Sequence, residues 1–249
     1  PTDGTVKPRT SALESVVFGV DVQSGDVRGE APSYAVVVLS ADGAEVTLVG
    51  DKGNWATLRL SYASDGRLAD AAGIRLDAYR DRDGRAVVVP GEKDGESLTR
   101  RDGTLLVGFE QRHRIWAYPD GLDGPARSFP APAGLQDASS NQGAEALQQL
   151  ADGRLLLIAE DRPEDADAYP DWLYDGDSWA PLSIAGGVDY RPTGLAQLPG
   201  GDLLLLTRKF TMLGGFQTRL ARIPLAAVKP GATLAGAELA HFRRPYVTD

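Results

Sequence analysis

The stretch NQGAEALQQLADGRLLLIAE, Asn141 to Glu160, decides how the rest of the chain is read. A small residue (Gly143) and an acid (Glu145) lead into an apolar pair, Leu147 and Leu150. An Asp152-Gly153 turn follows, then the apolar run Leu155-Leu156-Leu157-Ile158 and a second acid, Glu160. An Asp-Gly pair between two apolar segments is a strong short-range hairpin signal. The unit recurs. GESLTRRDGTLLVGFE (Gly95 to Glu110) and TGLAQLPGGDLLLLTR (Thr193 to Arg208) repeat it, and LSADGAEVTLVGD (Leu39 to Asp51) keeps the turn, the apolar strand and a closing acid. The turn glycines at 43, 103, 153 and 201 are spaced by 60, 50 and 48 residues. A recurrence near 50 residues marks an array of supersecondary units.

Outside these units the chain has no long run of helical periodicity, and 29 Gly and 16 Pro punctuate short apolar segments. That pattern predicts many short strands joined by turns. Tyr34–Leu39 pairs with Glu45–Val49 through Asp42-Gly43, and Thr57–Tyr62 turns at Asp65-Gly66 into a further strand. Two successive hairpins make a four-stranded antiparallel meander, the unit of a propeller blade. The expected fold is therefore all-β: a β-propeller of four-stranded antiparallel blades spanning residues 15–249, behind an extended Pro/Thr-rich arm at residues 1–14. Four units nearly exhaust the 249 residues. A ring of five or six blades would then lack its last part in this chain, unless the ring closes in a less usual way.

Further strands are expected at Ser15–Val22, at Ala86–Val89 inside the charged loop Leu76–Asp94, at Gln111–Tyr118 and at Thr218–Leu225. Trp172–Leu182 should hold the outer strands of the third unit, after an acidic, turn-rich tail from Asp161 to Asp171. KFTMLGGF, Lys209–Phe216, stands between the fourth unit and the Thr218–Leu225 strand, and Ala227–Ala240 reads as a connector turning at Pro230-Gly231.

Composition removes several classes of function. The formal charge is -9, with 35 acids against 26 bases, so a nucleic-acid partner is not expected. No cysteine is present, which excludes disulfides, Cys-ligated zinc and thiol catalysis; two histidines, His113 and His241, are too few for a three-histidine metal site. No apolar run approaches the roughly 18 residues needed for a membrane-spanning helix. The chain begins PTDGTVKP without Met or an apolar leader, and so reads as a processed or trimmed product. A periplasmic or secreted protein whose signal has been removed fits, and so does an artificially trimmed chain.

If the units are equivalent, their acids converge. Glu96 and Glu145 stand at the start of the inner strand in successive units, and Asp51, Glu110 and Glu160 follow the turn aspartates by eight or nine positions. Like positions on radially arranged blades meet at one end of the central channel. A ring of carboxylates suits a hard cation such as calcium, which takes six to eight oxygen ligands. The plainer alternative is solvated acids, or acceptors for a neighbouring blade's backbone. The fourth unit departs from the pattern, with Thr193 and Arg208 in place of the two acids. Arg208 is then either a salt-bridge partner or a clamp for an anionic substrate group.

The densest polar group is Glu110-Gln111-Arg112-His113-Arg114. Arg112 and His113 are candidates for phosphate binding and acid/base work. On a strand, Arg112 and Arg114 would point one way and His113 the other, favouring a structural role for His113. P-loop, dinucleotide-site and G-x-S-x-G serine-elbow motifs are absent from the sequence.

GESL…DGTLLVGFEQRHRIWAY, NQGAEALQQLADGRLLLIAED, RPTGLAQLPGGDLLLLTRKF…GGFQTRLARI, and VGDKGNWATLRL followed by DGRL together resemble the bacterial family known as esterase-like activity of phytase. The resemblance covers about Tyr34 to Asp249. It implies an exported β-propeller with phytase-related blades, hydrolysing phosphoesters with calcium held by channel carboxylates, here Asp51, Glu96, Glu110, Glu145 and Glu160. The family continues past VTD into an Asn-x-Glu-Gly motif and an acidic segment, neither of which occurs in this sequence. The sequence-level expectation is a calcium-assisted phosphoesterase or esterase-like hydrolase acting on a small anionic or ester substrate, with Arg112, His113 and Arg208 as catalytic candidates. The alternative is a non-catalytic propeller that binds a ligand or protein and holds calcium for structure.

Overall fold

The computed structural model describes residues 34–40, 42–139, 143–160, 168–185 and 190–243. The expected arm at 1–14, the strand at 15–22 and the C-terminal PYVTD lie outside the described residues, as does most of the acidic tail after Glu160. Four antiparallel sheets follow one another along the chain. Blade 1 is β1 (Tyr34–Leu39), β2 (Glu45–Gly50), β3 (Asn54–Tyr62) and β4 (Leu68–Ala78). Blade 2 is β5 (Gly95–Arg101), β6 (Thr104–Phe109), β7 (Arg114–Tyr118) and β8 (Arg127–Phe129). Blade 3 is β9 (Ala144–Gln149), β10 (Leu155–Ala159), β11 (Ala168–Tyr174) and β12 (Trp179–Ala185). Blade 4 is β13 (Arg191–Gln197), β14 (Leu203–Thr211) and β15 (Gly215–Ile223). After a detour through β16 (Thr233–Leu234) it is completed by β17 (Ala237–Phe242).

The innermost strands β1, β5, β9 and β13 lie against one another in that order, the arrangement of a β-propeller. The described residues build four blades; a fifth or sixth is not among them.

The unbroken apolar runs have a direct cause. Successive side chains on a strand point to opposite faces, and a blade between two others buries both. Leu105, Val107 and Phe109 of β6 pack toward blade 1 with Val49, Trp55 and Tyr79. Leu106, between them, faces blade 3 and meets Leu155 and Leu157. On β10 the alternate residues Leu156 and Ile158 turn the other way, onto Leu195, Leu203 and Leu205 of blade 4. The run LLLIA is therefore two interleaved contact surfaces.

Turn chemistry separates the units. Asp102 (φ 48) and Gly103 (φ 83) both take left-handed backbone, as a two-residue type I′ hairpin loop requires. In the other three blades the turn is longer, and among its described residues only the closing glycine is left-handed: Gly43 (φ 71), Gly153 (φ 86) and Gly201 (φ 93).

Several expected boundaries shift. No strand forms at Ala86–Val89; Arg80 and Ala86 make one isolated bridge, and Val88 and Val89 are exposed. Leu76–Ala78 belong to β4. The strand expected from Gln111 starts at Arg114, because Gln111 has φ 59 and the Arg112 amide donates to the Glu110 carbonyl at 2.6 Å. Residues 168–171 are strand. Lys209–Phe216 is largely paired strand, since β14 and β15 extend into it.

The connector after β15 does more than turn. It crosses to blade 3, where β16 pairs in parallel with β12 as a fifth strand, and only then returns to blade 4 as β17. Ser183 donates its amide to the Ala232 carbonyl at 2.9 Å and Gly231 donates to the Pro181 carbonyl at 2.7 Å.

Candidate functional site

Each inner strand breaks register with its neighbour at the same place. The ladder skips between Tyr34 and Val36, Gly95 and Ser97, Ala144 and Ala146, and Pro192 and Gly194. The bulged residues are therefore Ala35, Glu96, Glu145 and Thr193. A β-bulge leaves one residue outside the pairing and re-aims its side chain. Glu96 and Glu145 are structural equivalents, as their sequence positions predict.

Two more positions repeat beside each bulge. One lies just past the second strand's pairing with the pre-bulge residue: Asp51, Glu110, Glu160 and Arg208. Facing it, two residues before the bulge, stand Asp94, Gly143 and Arg191. The pairings hold these last two sets together, for the Glu110 amide donates to the Asp94 backbone carbonyl, the Glu160 amide donates to the Gly143 carbonyl, and Arg191 lies opposite Arg208. Blade 2 thus contributes Asp94, Glu96 and Glu110; blade 3 contributes Glu145 and Glu160; blade 4 contributes Arg191 and Arg208. Charge passes from strongly acidic to basic across one end of the propeller.

The acidic side is tight. Carboxylate oxygens of Asp94, Glu96 and Glu110 lie within 4.8 Å of one another, and Glu110 is buried. Burial, the charge of Glu145 and a hydrogen bond with Asp94 push Glu96 up to about 10. Burial raises Glu110 to about 7, against the Gly143 amide, which donates to its Oε1 at 2.7 Å. Burial and the charges of Glu160 and Glu110 raise Glu145 to about 8, offset by Arg208 and Arg191. Arg191 reaches Glu160 at 3.6 Å.

These residues fit a calcium ion. Ligands at 2.3–2.6 Å from one ion lie at most about 5 Å apart, which the three carboxylates satisfy. Asp94 Oδ2 accepts from Gln111 Nε2 at 2.7 Å, while its Oδ1 is buried with no protein partner. Carboxylates that resist ionising next to one another are what a divalent cation relieves.

Buried side chains brace the ground beneath. Tyr79 Oη donates to the Gly50 carbonyl at 3.1 Å and accepts from its amide at 2.9 Å, serving the residue beside the blade 1 bulge. A Cβ on Gly95 would stand 2.6 Å from that hydroxyl, so the residue before Glu96 has to be glycine. In blade 3 the fully buried Asp171 accepts the Ala159 amide at 3.2 Å, and burial holds its carboxyl well above the usual range.

Of the sequence candidates, Glu96, Glu110, Glu145, Glu160 and Arg208 share this end of the molecule. Asp51 holds the equivalent place in blade 1, paired to Lys52 at 3.7 Å. Arg112 and His113 are placed otherwise. Arg112 ion-pairs Glu92, and both line a groove of about 780 Å³ that includes none of the three clustered carboxylates. His113 Nε2 faces two carbonyls, Ala138 at 3.3 Å and Ser139 at 3.1 Å, and therefore carries the proton. Its ring backs onto Gly143, where a Cβ would lie 2.4 Å from Nδ1. The expected alternation of Arg112, His113 and Arg114 fails because the first two sit in the turn. Arg114 instead lies 4.1 Å from the centres of both the Phe109 and Trp116 rings. Sequence reasoning missed Asp94, Arg191 and Asp171.

An all-β propeller with carboxylates gathered at one end of its inner strands defines the class of protein. The chain belongs to the phytase-like family described as esterase-like activity of phytase, whose model matches residues 36–249. No protein of curated function matches it. Among solved structures it is similar to the Dos1 propeller, at 10% identity and TM-score 0.41 over 85% of this chain and 47% of that one. It is likewise similar to the N-terminal domain of Nup159, at 11% identity and TM-score 0.41 over 92% of this chain and 57% of that one. A protein of unknown function from Bacteroides caccae matches at 9% identity and TM-score 0.32, over 81% of this chain and 69% of that one. The chain spans about half the length of the first two. No helix among the described residues is long and apolar enough to cross a membrane.

Proposed function

We propose that the chain is an exported, calcium-assisted hydrolase of phosphoesters or esters, working where the bulge positions converge. The observation that carries this reading is the division of charge at that end. Three close carboxylates on blade 2 face two guanidiniums on blade 4, with Glu145 and Glu160 between them. Asp94, Glu96 and Glu110 would hold the cation. Calcium bound there supplies neutralisation of an anionic ester and an activated water. Arg208 and Arg191 bind the remaining anionic oxygens, as guanidiniums do with carboxylates and phosphates. Glu145, held at about 8 by burial and neighbouring acids, keeps its proton near neutrality and can pass it to a leaving oxygen.

The test is turnover by the purified protein with added calcium. Phytate and an aryl phosphate would be assayed for released phosphate, and an aryl ester for released acid. Hydrolysis of at least one, abolished by chelation and by Glu145→Gln with the fold retained, is expected. No turnover of any of the three overturns the reading. Chelation that lowers the melting temperature, with no activity to lose, would assign the propeller to ligand binding with structural calcium.

A further inference from the structure

The middle hairpin of blade 4 is longer than its counterpart in blade 2. There the second strand ends at Phe109 and the chain turns at once through Glu110. In blade 4, β14 runs past Arg208 through three more pairs, Lys209↔Gln217, Phe210↔Phe216 and Thr211↔Gly215. At roughly 3.4 Å per residue the extension stands about 10 Å beyond Arg208. It projects from the carboxylate end, since Arg208 lies opposite Arg191, which reaches Glu160 at 3.6 Å.

What this hairpin carries is apolar. Phe210 is 60% exposed, Met212 95% and Leu213 101%. Single exposed apolar residues are ordinary on a protein surface. Here they are consecutive with a charged position of the site. Alternation puts Phe210 on the same strand face as Arg208. The Arg208 guanidinium lies over the Phe216 ring at 5.3 Å, and the Phe216 and Phe210 rings are 4.9 Å apart. A path runs from the carboxylates to Arg208, then across two aromatic rings to Met212 at the tip. An anionic head with an apolar tail fits its order of charge and surface.

We propose that this hairpin is a specificity element, and that the site takes amphiphilic substrates. The anionic or ester group sits at Arg208, and an alkyl or aryl group lies along Phe216, Phe210 and Met212. This rests on the hydrolytic reading above but is separable from it by measuring binding. The probes are methylphosphonate and octylphosphonate, titrated calorimetrically into the full chain, with octylphosphonate kept below its micelle concentration. Octylphosphonate binds the wild type at least about tenfold more tightly, because part of its chain leaves water. Phe210→Ser combined with Met212→Ser brings the two probes within about twofold of each other, and Phe210→Leu keeps the preference. Circular dichroism and melting of the serine variant match the wild type, since both side chains are exposed. Equal affinity for the two probes, a preference untouched in the serine variant, or no binding of either probe overturns the proposal. Preference with no hydrolysis of any ester sinks the hydrolytic reading and leaves the specificity element standing.

Discussion

The Gly143 amide donates to Glu110 Oε1 at 2.7 Å, so blade 3 grips a carboxylate that blade 2 supplies. The contact needs a glycine at 143. An added Cβ would lie 2.4 Å from His113 Nδ1 and 3.5 Å from Glu110 Cγ. Its backbone is not left-handed, so space alone sets the requirement.

Gly143→Ala should therefore displace the imidazole and loosen Glu110 together. Overpacking of this kind costs about 1–3 kcal/mol. A denaturant titration is expected to show that loss, and calorimetry a weaker calcium affinity. Wild-type stability in the alanine variant would mean that the His113 ring is not held where the structure puts it.

The pH dependence follows from Glu96. It ionises near the ordinary carboxylate value when unfolded but only at about 10 in the fold. Between those values the native state keeps a proton that the unfolded state has released, so stability falls as pH rises. Glu110 and Glu145, raised to about 7 and about 8, act in the same direction. In chelator the melting temperature should drop steadily from about pH 5 to about pH 9, and Glu96→Gln should flatten much of that slope. Calcium should stabilise more at the higher pH, because it binds the ionised form. A slope unchanged in Glu96→Gln would refute the assignment.

How legible was this site? The apolar runs at 105–107 and 155–158 announced strands buried on both faces, and the Asp-Gly turns fixed the spacing of the units. Glu96 and Glu145 could be equated because they stand six and seven residues before the turn aspartates Asp102 and Asp152. Asp94 could not, since its importance comes from a register skip at Glu96 that leaves no mark in sequence. Its equivalents are Gly143 and Arg191, so a repeat alignment shows no conserved chemistry. Tyr79 and Asp171 act on Gly50 and Ala159, residues 29 and 12 positions away, through contacts that local pattern does not encode. Arg112 and His113 misled for the opposite reason. Their alternation assumed extended backbone, and the left-handed Gln111 removes it.

Asp171 offers a test of that hidden support. Its carboxyl is fully buried and accepts the amide of Ala159, the residue before Glu160. Asp171→Asn keeps an acceptor without the burden of a buried acid, and should stay within about 1 kcal/mol of wild type. Asp171→Leu keeps the branched shape in a larger side chain and strands the Ala159 amide, at a cost of at least about 1–3 kcal/mol. Chemical denaturation of both variants separates the cases, and equal losses would show that the hydrogen bond contributes nothing.

The connector after β15 bears on where the two arginines stand. Leu234 of β16 is 1% exposed and packs with Leu182 and Ile184 of blade 3 and with Leu205 and Ile223 of blade 4. Leu234→Ala removes buried apolar volume from that shared core, at about 2–5 kcal/mol. Thr233→Ala, at an exposed neighbour whose hydroxyl meets Ser183 Oγ at 3.0 Å, should stay within about 0.5 kcal/mol of wild type. The clasp ties blade 4, which carries Arg191 and Arg208, to blade 3, whereas the carboxylate trio belongs to blade 2. Loosening it should weaken binding of an anion such as octylphosphonate more than binding of calcium. Calorimetry on Leu234→Ala, below its melting transition, would measure both affinities. Equal losses would mean that the clasp supports the fold as a whole and does not set the position of the arginines.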